Sequence, residues 1–336
     1  MIKNSVKLIL CALLVHATCF SAAAQGDWKK ENDRALARIN ADDLHREISF
    51  LTDSICSGRG TGTAGASEAA FWVCRKFKKA GLIPATEGYA SHFTTPAGAA
   101  GHNILGMVPG ALSQPRDKYL IIGAHYDHLG TLDGRMFPGA DANASGTVAL
   151  TTLADIFGEM KEQGKVYDSN IIFIAFDAKE MGMSGSAALW KLIEYGFLKD
   201  PLTGKAITKD KISAMVNIDQ IGSSLSPINR DREDYLLMLG THSLPSGKRM
   251  NLEACNMLNN IGLDLCLSYY GSKAFTDVFY RLSDHKVFVE NRIPAVFFTS
   301  GITMNTNKTR DVVDNLNINV LQKRIRLIYY WVESML

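Results

Sequence analysis

Six stretches of the chain are apolar in nearly every position: Asn103–Val108, Tyr119–Ala124, Ile171–Phe176, Met215–Ile218, Tyr235–Leu239 and Ala295–Phe298. Hydrophobic runs of that length, with no polar alternation, predict strands covered on both faces, as in a mostly parallel sheet between helices. Between them the period changes. From Gly65 to Ala80 the residues Ala69, Ala70, Val73, Phe77 and Ala80 fall on one helical stripe, which Gly81 and Pro84 stop. Further helical patterns cover 145–163, 184–195 and 247–261, and Leu321, Ile325, Ile328 and Val332 mark a last helix. Strands alternating with helices predict a three-layer α/β/α domain around a central, mostly parallel mixed sheet. With no repeat, low-complexity tract or linker, a single domain is expected over 25–336.

The first 24 residues are set apart. Lys3 and Lys7 precede the apolar run Leu8–Val15, and Ala22-Ala23-Ala24 offers small residues for cleavage, the pattern of a signal peptide over 1–24. The run is short for a membrane span, and His16 and Thr18 suit a lipoprotein signal at Cys19 poorly. An exported protein, periplasmic or extracellular, with no membrane span in the mature chain is expected. Removing two lysines leaves 34 basic residues from 36, against 34 acidic ones, so the mature chain is near neutral. Without a basic patch or charge run, a nucleic-acid partner is not expected. Export removes Cys11 and Cys19. Cys56, Cys74, Cys255 and Cys266 have no CxxC spacing; Cys255–Cys266 is the closer pair for a disulfide, and reduced, buried thiols are the equal alternative.

The chemistry gathers where apolar runs end. Ile121-Ile122-Gly123-Ala124 runs into His125-Tyr126-Asp127, and Pro138-Gly139-Ala140-Asp141 then presents an acid before a small-residue helix start. Zinc binds neutral imidazole and carboxylate oxygens, and its histidines are held by a neighbouring carboxylate. His125 and Asp141 fit as ligands and Asp127 as the group orienting His125. A lone His-x-Asp is more often ordinary loop structure, but three more segments accompany it. They are Ala175-Phe176-Asp177-Ala178-Lys179-Glu180-Met181-Gly182, Asn217-Ile218-Asp219-Gln220-Ile221-Gly222, and Ser283-Asp284-His285 leading to Phe297-Phe298-Thr299-Ser300-Gly301. Ligands of open α/β sheets collect at the carboxyl ends of strands.

This order and spacing resemble the two-zinc aminopeptidases of metallopeptidase family 28, a superfamily that also holds glutaminyl cyclases, glutamate carboxypeptidase and the non-enzymatic transferrin receptor ectodomain. The resemblance runs from about Leu44 to the C-terminus, includes Gly58-Arg59-Gly60-Thr61-Gly62-Thr63, and implies the zinc-aminopeptidase (phosphorylase/hydrolase-like) fold. It implies that Asp141 bridges two metals, one completed by His125 and Asp219, the other by Glu180 and a late histidine. The residue before Glu180 would be the general base.

Two of those positions depart from the family. Lys179 stands where the base is expected, and Asn307 stands where the late histidine is expected; no histidine follows His285. Ala142 also replaces an acid that commonly follows the bridging one. The reading that results is one zinc ion, with the second site doubtful and the Lys179 ammonium in place of the missing charge. A positioned general base is worth about 10²–10⁴ in rate. Peptide or small amino-terminal substrates, hydrolysed slowly if at all, are therefore expected. The alternative is a binding or scaffold protein without catalysis. A glutaminyl cyclase fits less well, because those enzymes keep the late histidine on zinc. Asp284 and His285 are expected near the pocket rim with Asn307, and His128 is expected to be loop structure.

Overall fold

The structure, a computed structural model, describes residues 33–111, 117–225 and 232–336. The expected signal peptide lies outside the described residues. In chain order the strands are β1 (Ile83–Pro84), β2 (Ala90–Thr94), β3 (Ala100–Val108), β4 (Tyr119–His125), β5 (Thr131–Leu132), β6 (Arg135–Met136), β7 (Asn170–Phe176), β8 (Ile212–Ile218), β9 (Tyr235–Leu239), β10 (Asp264–Cys266) and β11 (Ala295–Thr299). The α-helices of five residues or more are α1 (Ala41–Thr52), α2 (Ala64–Lys79), α3 (Gly146–Glu162), α4 (Ser184–Glu194), α5 (Ser246–Leu258), α6 (Lys273–Phe279), α7 (Lys286–Glu290) and α8 (Ile318–Met335).

Nine strands form one sheet in the order β1-β3-β7-β4-β8-β11-β9-β10, with β2 also on β3. The middle is parallel, β7 beside β4, β4 beside β8 and β8 beside β11, while β3 and β9 join antiparallel. All seven residues of β4 and of β7 are buried. Alternate residues serve opposite layers. Leu120, Ile122 and Ala124 pack into the core shared with α2, α3 and α8, whereas Tyr119 and Ile121 pack with Trp190 of α4 and Phe288 of α7. That two-sided cover is why the strands read as unbroken apolar runs. The six expected strands and five expected helices are present. The sequence reading missed α1, whose Leu44, Ile48 and Leu51 are buried one turn apart and whose start is capped by Asn40. It also missed the short edge strands.

Cys56, Cys74, Cys255 and Cys266 are all free. Cys255 packs in the layer of α8, and Cys266 packs on the other side with Tyr269, Tyr280 and Phe297, so the sheet separates the pair closest in sequence. Among the described residues no helix is long and apolar enough to cross a membrane.

Candidate functional site

Strands β4, β7 and β8 end side by side, so the loops that follow them meet above one edge of the sheet. His125 is the last residue of β4 and is fully buried. The backbone turns left-handed at Ala178 (φ 58°), just before Lys179, and at Gln220 (φ 60°), just after Asp219. A non-glycine residue in that region costs about 1–2 kcal/mol, and such cost collects where a side chain must be aimed. Both turns flank a candidate residue.

The structure brings together His125, Asp127, Lys179, Glu180 and Asp219. His125 Nε2 lies 3.2 Å from Asp219 Oδ1, and its Nδ1 lies 3.0 Å from the Asp127 carbonyl oxygen and 3.4 Å from Asp127 Oδ1. Asp127 therefore does stand at the orienting nitrogen, with its carbonyl nearer than its carboxylate. That carboxylate is occupied elsewhere: its two oxygens accept the backbone N–H groups of Lys179 at 3.1 Å and Glu180 at 3.0 Å. It thus ties the loop after β4 to the loop after β7. Asp219 Oδ2 accepts from Ser283 Oγ at 2.7 Å, and that hydroxyl accepts from Asn217 Nδ2 at 2.8 Å.

Lys179 points into this group. Its Nζ is 2.9 Å from Glu180 Oε1 and 3.8 Å from Asp219 Oδ2. Burial opposes the ammonium, but Asp219 and Glu180 more than offset it and raise the lysine pKa above its ordinary value. Lys179 is a cation here and no neutral base. Burial likewise opposes the Asp219 carboxylate, yet Lys179 and His125 hold its pKa below the usual range. For His125, burial disfavours the imidazolium, but Asp219 outweighs it and lifts the pKa to about 10.

Asp141 is placed differently. It lies two residues after Gly139 (φ 60°) and shares no hydrogen bond or ion pair with His125, Glu180 or Asp219. Its Oδ1 accepts from Gly222 N at 2.7 Å, Ser223 N at 3.2 Å and Ser145 Oγ at 3.2 Å. Burial and then the neighbouring Asp311 carboxylate raise its pKa. Asp311 grips this loop from 170 positions away, its two carboxylate oxygens accepting from Asp141 N at 2.9 Å and Ala142 N at 3.0 Å. Among the described residues no three His, Cys, Asp or Glu side chains form a group ready to hold an ion.

Donors of the kind that zinc takes are nonetheless present. His125 Nε2, Asp219 Oδ1 and Asp141 Oδ2 are each buried with no hydrogen-bond partner. His125 Nε2 and Asp219 Oδ1 are close without an aligned hydrogen bond, and 3.2 Å is near the ~3.3 Å that separates two donors on a tetrahedral zinc with bonds of ~2.0 Å. Glu180 already holds the Lys179 ammonium, and Asn307 supplies an amide, not an imidazole. Asn307 (φ 58°) does line the cavity beside the site, about 240 Å³, with Lys179, Asp219, Tyr269, Phe279 and Phe297. A larger cavity of about 720 Å³ opens at the opposite end of the sheet, around Leu120, Ser213 and Met335, away from these groups.

The expected rim position of Asp284 and His285 is not met. Both are fully buried behind the cavity wall; the His285 ring is stacked on Phe297 and tilted against Tyr280, each 4.8 Å away, and its Nε2 donates to the Tyr280 carbonyl at 2.6 Å. Burial pushes the Asp284 carboxyl up to about 7 and the His285 imidazole down to about 4. His128 is buried too, and burial lowers its pKa well below the ordinary value.

Sequence reasoning missed the residues that hold the loops. Arg59 is fully buried and donates to the carbonyls of Leu51, Tyr126, Pro138 and Gly139 at 2.6–2.8 Å. Gly58 before it sits at φ 71°, where a Cβ would lie 2.5 Å from the carbonyl oxygens of Gly130 and Phe137. An arginine between glycines was the available signal. Asp311, flanked by Arg310 and close to Lys308, reads as a surface acid and gave none.

Solved structures share the architecture. Over 91% of this chain and 75% of the other, the LapA aminopeptidase of Legionella pneumophila superposes with a TM-score of 0.67 at 20% identity. A zinc aminopeptidase from Bacillus subtilis matches over 88% and 95% with a TM-score of 0.65 at 14% identity. A glutaminyl cyclase of Porphyromonas gingivalis matches over 88% and 99% with a TM-score of 0.60 at 17% identity. At such identities the likeness is one of fold. The sequence pattern of peptidase family M28 matches residues 103–332, well over half of the chain, and the chain belongs to that family.

Proposed function

We propose that this is an exported, zinc-dependent aminopeptidase-like protein, a single domain over residues 25–336, whose site keeps one ion and has low peptidase activity. The observation that carries the reading is the Lys179 ammonium seated on Glu180 and Asp219, where the family's second metal would draw on Glu180. His125, Asp141 and Asp219 would hold the ion, supported by the one unpartnered buried atom on each. When bound, zinc would supply a Lewis acid for a peptide carbonyl. Asp127 fixes the His125 ring and the backbone of residues 179 and 180 at once. Lys179 offsets part of the charge of the two carboxylates and, already carrying its proton, takes none from water. The cavity lined by Asn307 would receive the first side chain of a peptide. Export rests on the Lys3–Ala24 pattern, periplasmic or extracellular, and no nucleic-acid partner is proposed.

The second reading, a binding protein that uses the cleft without turnover, is favoured by the raised Lys179 pKa, which leaves the base position unable to accept a proton. Zinc analysis of the purified protein together with an aminoacyl-anilide assay separates the two. One ion with slow, chelator-sensitive turnover supports the first reading, and one ion with no turnover supports the second. Two ions with fast turnover sink both.

A further inference from the structure

The cavity beside Lys179 and Asp219 does not end at its mouth. Four aromatic rings continue from its wall to the surface. Tyr269, 2% exposed, is stacked on Phe279 with centroids 4.1 Å apart and planes 10° apart. Phe279 stacks on Phe275 at 6.5 Å, and Tyr270 meets Phe275 edge-on at 6.1 Å and Tyr269 at 4.8 Å. The outer pair is open to solvent, Phe275 at 54% and Tyr270 at 49%. Leu282 and Ile302, both cavity-lining, are also 47% and 43% exposed. Exposed apolar groups scattered singly need no account, but a contiguous set rimming a cavity marks a binding surface.

We infer that this aromatic ladder binds the second and third residues of a peptide whose first residue fills the cavity, so that the preferred ligands carry apolar side chains at those following positions. This rests on the peptide reading of the site and extends it outward. At about 240 Å³ the cavity is below the ~300 Å³ that encloses a whole small ligand, so it takes one side chain and leaves the remainder outside. The remainder must leave past Leu282 and Ile302 onto the ladder. Tyr269 Oη accepts the Ile302 N–H at 2.8 Å, which fixes the inner ring and the cavity lip together. The charges select the end that enters. Three carboxyl groups, those of Asp127, Glu180 and Asp219, gather around the single Lys179 ammonium, so an amino terminus is favoured over a carboxyl terminus.

The test compares Leu-Phe-Phe-amide with Leu-Ser-Ser-amide by calorimetry on the full chain as purified. Leu-Phe-Phe-amide should bind at least about tenfold tighter, the size expected for one or two aromatic contacts. In Phe275→Ser and Tyr270→Ser, both at exposed positions, the ratio should fall toward one. In Phe71→Ser, an exposed aromatic on α2, it should stay. Equal affinities in the unmodified protein, no binding of either peptide, or a ratio that survives the Phe275→Ser, Tyr270→Ser double variant would each overturn the inference. Self-association abolished by Phe275→Ser, without a peptide preference, would assign the ladder to a second copy and also overturn it. Should the preparation cleave the peptides quickly, KM replaces Kd; that outcome removes the low-activity reading and leaves the ladder to be decided by the same ratio.

Discussion

Zinc binding to this protein should expel a proton, and the pH dependence of affinity should report it. In the metal-free site His125 Nε2 faces Asp219 at 3.2 Å, and although burial disfavours the imidazolium, Asp219 lifts its pKa to about 10. Zinc takes only the neutral ring. At pH 7 the proton must be removed some three units below that value, a cost of about 4 kcal/mol at 1.36 kcal/mol per unit, or roughly a thousandfold in affinity. Affinity should therefore rise about tenfold per unit between pH 7 and 9, measured by competition with a chelator of known pH dependence. Calorimetry at pH 7.5 in buffers of different ionisation enthalpy should count about one proton released per ion. A histidine with the ordinary pKa near 6.5 would give an affinity that levels above pH 7 and almost no proton release; that result would refute the argument. The same ion pair acts on stability. Because the folded pKa lies above the unfolded one, its contribution is complete below about pH 6.5 and is lost as pH rises through about 10. Metal-free protein should weaken over that window, and zinc-loaded protein should not.

Lys179→Met removes the ammonium from two largely buried carboxylates and should cost about 3 kcal/mol in urea unfolding at pH 7, the low end for a broken buried pair because His125 still serves Asp219. No change in midpoint would place the lysine outside the charge balance. Lys179→Glu together with Asn307→His should raise bound zinc from about one to two and give measurable aminoacyl-anilide hydrolysis, while either change alone should recover little; a double variant still holding one ion would show that the lost ligands are not the cause. Arg59→Met leaves the buried carbonyls of Leu51, Tyr126 and Pro138 without their donor, Gly139 keeping the Ala144 N–H, and should destabilise by about 3 kcal/mol or more, read from the unfolding midpoint. A loss below 1 kcal/mol would mean that other donors replace it.

The sheet was legible because its strands are covered on both faces, so burial left an unbroken apolar record from Tyr119 to Ala124 and from Ile171 to Phe176. The placing of His125, Lys179, Glu180 and Asp219 followed, since each lies at or just past a strand's end and adjacent strands set their spacing. Hydrogen bonds between loops leave no period. Nothing in the sequence joins Asp311 to Asp141, or the Asp127 carboxylate to the amides of Lys179 and Glu180. The same blindness governs the lysine's choice of partner. The sequence argues that buried acids near Lys179 need its charge and offers Asp141 or Glu180; Glu180 is taken, and the second carboxylate in reach is Asp219, not Asp141. The physical reason lies in how each acid is otherwise served. Asp141 Oδ1 already accepts from two backbone amides and a hydroxyl, and burial with Asp311 beside it pushes its pKa up, toward the neutral form. Asp219 has only the Ser283 hydroxyl beyond its ionic neighbours, so its charge is the one left to compensate. The ammonium goes to the acid that backbone amides do not serve, and no reading of Lys179 and its sequence neighbours could have revealed which acid that was.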